Sequence, residues 1–419
     1  MAEIRPFKAW RYSPDMQIDQ LLSPLFDVVS DKQRQKLYQN PQNSIHISVP
    51  IGENPAQKAA QTWTNWRENG IVDQDRNPAI YVYYQYFSLH NSPKKFCRKG
   101  FVAMLRVYDW EEKIVLRHEN TIPHSVSDRL ELLEKTKLNV SPTHGLYEDT
   151  EFFLEKYMDE AIKTPIYETE DYQGIRDILA KIDEPIIVQL FVEKLSEKQI
   201  ILADGHHRYE ASLMYQKKQC EQNPNHTGQE AYNFHLMYFS NTQDDSLLIL
   251  PTHRLLRNFP DFDEKHLLER LTNYFYITEI DNAEDLLDII CGKKWAFGLI
   301  LPDKSYKIRL RENFLPKIAW HFPQIVKELD LTVLHYFVFE KIIGIKGTQQ
   351  RSSTYLHFQR SFTECLLEVN KGISQAAFIT NEVSIEDIKN VCRSEVTMPQ
   401  KSTYFYPKAI CGLLFADIS

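Results

Sequence analysis

The run Asp204-Gly205-His206-His207-Arg208-Tyr209 follows the apolar stretch 199–203 and opens an amphipathic segment over 210–218. The stretch reads as a strand, and Asp-Gly is turn chemistry. A helix beginning near the two histidines directs its free N–H groups and the positive end of its dipole at whatever lies in front. With two imidazoles and a guanidinium added, Gly205, His206, His207 and Arg208 read as an anion cradle, most simply a phosphate site. The Asp204 carboxylate is then available to hold a metal ion or to orient an imidazole. A histidine pair also occurs as a satisfied core element. Four mutually useful polar groups after an apolar strand favour a site.

Three further clusters carry reactive groups. Arg117-His118-Glu119-Asn120-Thr121 lies at a strand end before a helix, where Glu119 suits a general base or a metal ligand, or simply caps the helix. Pro251-Thr252-His253-Arg254 again follows an apolar strand; His253 and Arg254 suit a phosphate or carboxylate, or a surface ion pair. In the stretch 398–408, two prolines bracket Lys401, Ser402 and Thr403, which reads as an anion site or as an aromatic edge strand. No local signature assembles a Ser/His/Asp triad.

Positioning these groups takes alternating strands and helices. Strands are expected at 45–49, 80–84, 101–108, 113–117, 185–190, 234–239 and 246–250. Helices are expected at 56–67, at 125–138 with Ser125 or Ser127 as cap, at 149–163 and at 171–182. Residues 91–99 read as a loop or hairpin tip, and 221–230 as a linker or exposed loop. Helix and strand signals then alternate through 264–274, 283–290, 296–301 and 325–343. The expected fold is α+β with mixed sheets, dividing into an N-terminal α/β region, 1–230, and a C-terminal domain, 231–419.

Composition narrows the class. The chain has 419 residues, 43% hydrophobic and 25% charged, enough for two globular domains. Only 13 glycines are present, with no GxGxxG or GxxxxGK[ST] run, which disfavours Rossmann and Walker-type nucleotide loops. A net charge of −8 argues against a nucleic-acid surface. Six cysteines without CxxC spacing fit a reduced compartment. With no signal-peptide core and no membrane-length apolar run, a cytoplasmic protein with no membrane partner is expected.

The runs ILADGHHRYEASL, RHENT, LPTHRLL and MPQKSTYFYPK resemble a widespread bacterial domain-of-unknown-function family, number 1015, whose members carry an ADGHHRYE signature. The N-terminal LLSPLFDVVS looks like that family's PPYDVIS-type start, with Leu25 and Phe26 in place of proline and tyrosine. More distantly, the order His-Glu, helix, PIxV strand, DGHHR, helix resembles the ParB/sulfiredoxin superfamily and its free-serine kinases, with residues 140–184 as an insertion. That resemblance implies a ParB/sulfiredoxin-like core at about residues 101–220 and a second α/β C-terminal domain. It also implies a phosphotransferase acting on free L-serine, or in reverse on phosphoserine. The donor would be ATP, ADP, another nucleotide or pyrophosphate, with Mg²⁺. In that scheme Glu119, Asp204, His206 and His207 are catalytic, and Gly205 to Arg208 bind phosphate. Asp204 holds the metal, while His118, His253, Arg254, Lys401, Ser402 and Thr403 bind substrate. The alternative is a ParB-like nucleotide switch acting on a macromolecular partner. A sulfiredoxin-like reductase would need a cysteine in the turn, where there is none.

Overall fold

A computed structural model describes residues 2–26, 28–89, 93–171, 173–399 and 401–419. The chain divides into two compact units. Met1–Arg117, Thr121–Leu248 and Pro407–Ser419 form the first; His118–Asn120 and Ile249–Tyr406 form the second.

The first unit is built on a nine-stranded sheet. In chain order its strands are β1 (Ile4–Arg5), β2 (Ile80–Ser88), β3 (Lys95–Arg106), β4 (Val115–Arg117), β5 (Thr143–Tyr147), β6 (Tyr167–Glu170), β7 (Arg176–Ile182), β8 (Ile200–Asp204) and β9 (Phe234–Asn241). They lie side by side as β4-β8-β5-β9-β3-β2-β7-β6, with β1 on β3. The pairs β8/β4 and β9/β5 are parallel and the other described pairs antiparallel. Side chains alternate between faces along a strand, so β2 sends Ile80, Val82 and Tyr84 into one core and Tyr81 and Tyr83 into the other. Helices α1 (Pro55–Glu68), α2 (Pro123–Thr136), α3 (Pro185–Ser196) and α4 (His206–Gln222) belong to this unit. Leu413, Leu414 and Ile418 from the last segment complete the second core.

The second unit holds a six-stranded sheet, β10 (His253–Leu256), β11 (Phe275–Ile280), β12 (Ala296–Ile300), β13 (Ser305–Leu310), β14 (Leu356–Gln359) and β15 (Ala376–Ile379), in the order β11-β13-β12-β15-β10-β14. All its described pairs are antiparallel, so this unit is α+β rather than α/β. One face packs Phe297, Leu299 and Phe378 against Phe337 and Phe339 of a π-helix, Leu334–Ile343.

The mixed α+β architecture is as expected, but several elements are not. Residues 45–49 form a one-turn helix, Ile45–Ser48, because Asn43 Oδ1 accepts the Ile45 N–H at 2.9 Å and starts a turn. The expected helix at 171–182 is a β-hairpin, β6 and β7. Asp171 Oδ1 accepts the N–H groups of Gln173 and Ile175, and Gly174 takes a positive φ of 76°. The expected strand at 185–190 is the start of α3: Pro185 suits a first helical turn, and Val188, Phe191 and Leu195 bury one face. That removes the PIxV strand from the resemblance. Helix α2 begins at Pro123 behind Ile122, so neither Ser125 nor Ser127 is its cap. The helix expected over 149–163 runs only from Glu155 to Ala161, since the Asp149 carboxylate holds the Glu151 and Phe153 N–H groups in a turn. A boundary at 230 would detach β9, a central strand of the first sheet; the division falls at 248/249 instead. Within the expected tip at 91–99, Asn91 and Ser92 lie outside the described residues, as do Tyr172 and Gln400 of the stretches at 171–182 and 398–408.

Candidate functional site

In the first unit, β8 ends at Asp204 and α4 starts at His206, so the Asp-Gly turn lies where the sequence placed it. Gly205 has φ +91°, and a Cβ there would meet Thr143 Cγ2 at 2.5 Å and Arg208 Nη2 at 2.9 Å. Only glycine fits. The first intrahelical bond from the turn runs from Tyr209 N to Gly205 O at 2.9 Å, so the N–H groups of the opening turn have no helical acceptor.

Asp204 is gripped from both sides. Lys408 Nζ bonds its Oδ1, and Arg208 Nη2 bonds its Oδ2 at 3.0 Å. Burial alone would push this carboxyl up, but the two cations overcome it and hold it well below the usual carboxylate range. Arg208 is also held elsewhere: Nη1 donates to Ser141 Oγ at 2.9 Å and to Pro142 O at 2.7 Å, tying that loop to the turn. The expected phosphate ligand is therefore a buried brace. His207 Nε2 accepts the Ile122 N–H at 2.9 Å, which fixes the start of α2 and requires a bare Nε2. His206 is 6% exposed.

Residues the sequence reading missed surround this turn. His144, opposite Asp204 on β5, shares a 2.7 Å hydrogen bond with Ser240 and stacks on Tyr238 at 5.0 Å. Burial, then Arg98, holds its imidazole well down and hence neutral; Asp204, Lys408 and Arg208 act on it as well. Arg98 is 1% exposed; its Nη2 donates to Gln85 Oε1 and Pro407 O, while Nε and Nη1 have no hydrogen-bond partner among the described residues. Gln85 Nε2 reaches Lys408 O at 3.1 Å and Asp177 Oδ1 at 2.9 Å. A polar row thus runs beneath the turn across β7, β2 and β3 to the Pro407–Lys408 stretch. Lys408 closes the 398–408 motif and could have been singled out. His144 and Arg98 carry no local signal.

Asp204 is unsuited to the metal role. Both its oxygens carry ion pairs, and among the described residues no group of three His, Cys, Asp or Glu side chains could hold a metal ion. The donor set does not fit a protein-held Mg²⁺.

The other expected residues gather in the second unit. His118 is buried, with Nε2 2.9 Å from Thr403 Oγ1, and its carbonyl accepts the Met398 N–H at 2.9 Å. Glu119 Oε1 accepts the Lys401 N–H at 3.2 Å. Within this unit His118, Glu119 and Asn120 thus meet Thr403, Met398, Lys401 and Thr397, which are far away in sequence. Ser402 is buried and donates to Pro399 O. His253 and Arg254 are 1% and 0% exposed, so neither is a surface residue. His253 Nδ1 accepts the Thr380 N–H at 3.2 Å, and burial, then Arg254, pulls its imidazole down to about 4. Arg254 donates to His335, Thr252 O and Lys401 O. Both are braces rather than substrate ligands. The structure brings the expected residues together as two groups, one in each unit.

Residues 4–332 match the family model described as Protein of unknown function (DUF1015). The chain belongs to the DUF1015 family. No curated protein matches it. Among solved structures, this DUF1015 chain is similar to a conserved hypothetical protein from Pyrococcus furiosus at 15% identity, with a TM-score of 0.34 over 73% of this chain and 92% of that one. It is similar to a free serine kinase in complex with AMP at 11% identity, TM-score 0.37, over 79% and 96%. It is also similar to C-terminally truncated SbnI from Staphylococcus aureus at 11% identity, TM-score 0.36, over 75% and 86%. At such scores, function rests on the chain's own residues. Among the described residues no helix is long and apolar enough to cross a membrane.

Proposed function

We propose that this protein is a small-molecule phosphotransferase whose acceptor is free L-serine or a related hydroxylated amino acid. The observation that carries this reading is the charge balance around the Asp-Gly turn. Arg98, Arg208 and Lys408 lie largely buried around His144, and Asp204 is ionised and paired with two of them. Three buried cations against that carboxylate call for an anion, and the positive end of the α4 dipole lies at the same turn. The resemblance of Asp204 to Arg208 to the DGHHR turn of free-serine kinases agrees with a phosphate.

The roles then differ from those the motif implied. The backbone of His206, His207 and Arg208 and the Lys408 ammonium take the donor phosphates, while Asp204 is the counter-charge that holds Lys408 and Arg208. Glu119 is assigned the proton of the acceptor hydroxyl, whose oxygen bonds to phosphorus as the bond to the leaving nucleotide or phosphate breaks. Serine and phosphoserine differ only in direction along that path.

The test is purified protein with magnesium, L-serine and, in turn, ATP, ADP, CTP or pyrophosphate, with phosphoserine read by mass spectrometry. Product should form with one donor, and Glu119→Gln should cut the rate by about 100-fold or more. Nucleotide binding without product from any donor would replace the enzyme with a ParB-like switch. Neither product nor binding would remove both readings.

A further inference from the structure

The run Leu334–Ile343 is apolar except at His335, Glu340 and Lys341, and it winds as a π-helix, a form that accumulates at functional positions. His335 is 3% exposed, which is costly for an imidazole unless both nitrogens are satisfied. They are. Nδ1 lies 2.7 Å from Gln350 Oε1, and Nε2 accepts from Arg254 Nε at 3.1 Å. Gln350 cannot turn over, because its Nε2 already donates to His335 O at 3.0 Å and to Ile345 O at 2.9 Å. The ring is therefore fixed as the Nδ1–H tautomer with its lone pair on Arg254.

Arg254, on β10, is 0% exposed. It also donates to Thr252 O and, from Nη2, to Lys401 O at 3.3 Å. Burial draws its guanidinium down to about 9, against which the Glu119 charge acts to keep it protonated. Lys401 stands in the left-handed region at φ +55°, which a non-glycine residue holds only when its surroundings impose it. Its carbonyl is taken by Arg254 and its N–H by Glu119 Oε1 at 3.2 Å. One residue is thus held at both its N–H and its carbonyl.

We propose that His335 is a positioning residue: from the π-helix it fixes Arg254, which through the backbone of Lys401 fixes the orientation of the Glu119 carboxylate. This deepens the reading above, in which Glu119 accepts the hydroxyl proton, and rests on it for any effect on rate. Loss of the acceptor at 335 frees the guanidinium to rotate, releases Lys401 and lets Glu119 swing. On the reading above the donor phosphates are taken by the turn at α4 and Lys408, so the loss is expected in the rate constant rather than in donor KM.

The experiment uses the full chain labelled with ¹⁵N-lysine, with the Lys401 amide assigned by Lys401→Arg. Glu119→Ala sets the position of that amide without its acceptor. His335→Leu should move it most of the way there and lower kcat at least tenfold, leaving donor KM within twofold. In His335→Gln, where an amide oxygen accepts from Arg254 and an amide N–H replaces the ring donor, the resonance should return and most of kcat with it. Should His335→Leu fail to fold, Arg254→Lys retains the charge but cannot hold both partners, and it should shift the amide the same way. A Lys401 resonance unmoved in a folded His335→Leu or Arg254→Lys protein would overturn the proposal. Absence of phosphoryl transfer in the unsubstituted protein would sink the kinase reading instead, and the resonance would still decide the positioning.

Discussion

Asp204 shares its single negative charge between two cations that have little access to water, and its value is clearest when it is removed. Asp204→Asn leaves the Lys408 ammonium and the Arg208 guanidinium without their carboxylate. Breaking a buried pair in this way costs about 3–5 kcal/mol. The substitution therefore probes folding before it probes turnover, and urea unfolding at pH 7 should show the loss directly. The pH dependence has a definite sign. Burial opposes ionisation but Lys408 and Arg208 depress the folded pKa, so the carboxylate's contribution is present above the unfolded value of about 3.9 and fades as pH falls below it. The gap between native and variant stability should narrow below pH 4; a constant gap would mean the ion pairs contribute nothing. The Asp-Gly turn between strand and helix was legible in the sequence. Its main partner was not, because Lys408 lies 204 residues away and no periodicity links the two.

Among the elements, β7 carries the most sensitive titration. Asp177 lies in the polar row, its Oδ1 accepting from Tyr83 Oη at 2.5 Å and from Gln85 Nε2 at 2.9 Å. Burial raises its carboxyl to about 7, with those two hydrogen bonds pulling the other way. A raised acid prefers its proton in the folded state, so stability should fall as pH climbs from about 4 to about 7 and level off above, by roughly 4 kcal/mol in all. Asp177→Asn should flatten that slope in urea titrations at pH 5, 6, 7 and 8. An identical slope in the variant would assign it to another group. Sequence reading had put Asp177 on a helix. The error is instructive: the 171–182 stretch has helical composition, and only the Asp171 turn and the pairing of β7 with β2 make it a strand. At 185–190 the reverse happened, since a β-branched run beginning with proline looks like a strand until Phe191 and Leu195 extend its period. Strands buried on both sides, such as β2 and β9, were read correctly because aromatic and branched residues fill them without interruption.

At the scale of the molecule, chain order and spatial grouping part company. Residues 118–120 leave the first unit for the second, and 407–419 return to the first. Leu413, Leu414, Phe415, Ala416 and Ile418 are each at most 4% exposed. Burying each of the larger side chains contributes about 1.5–3 kcal/mol, so together they rival the 5–15 kcal/mol that holds a whole domain. A chain ending at Tyr406 should therefore lose the first unit's cooperative unfolding, followed by near-ultraviolet circular dichroism, while one ending at Leu248 should not fold into that unit at all. Retained cooperativity in either would show the segment to be dispensable. No sequence signal announces such a return, because each stretch looks ordinary alone and only three-dimensional packing reveals which unit it completes.

The same return sets an order on synthesis. A growing chain emerging from the ribosome presents Asp204 and Arg208 early, yet the lysine that completes their charge balance arrives only after all of 249–406 has been translated. Domains commonly fold in the order they are made. Here the first unit must wait, its second core unfinished while the second unit takes shape inside its sequence, and its Asp-Gly turn acquires its full set of cations last.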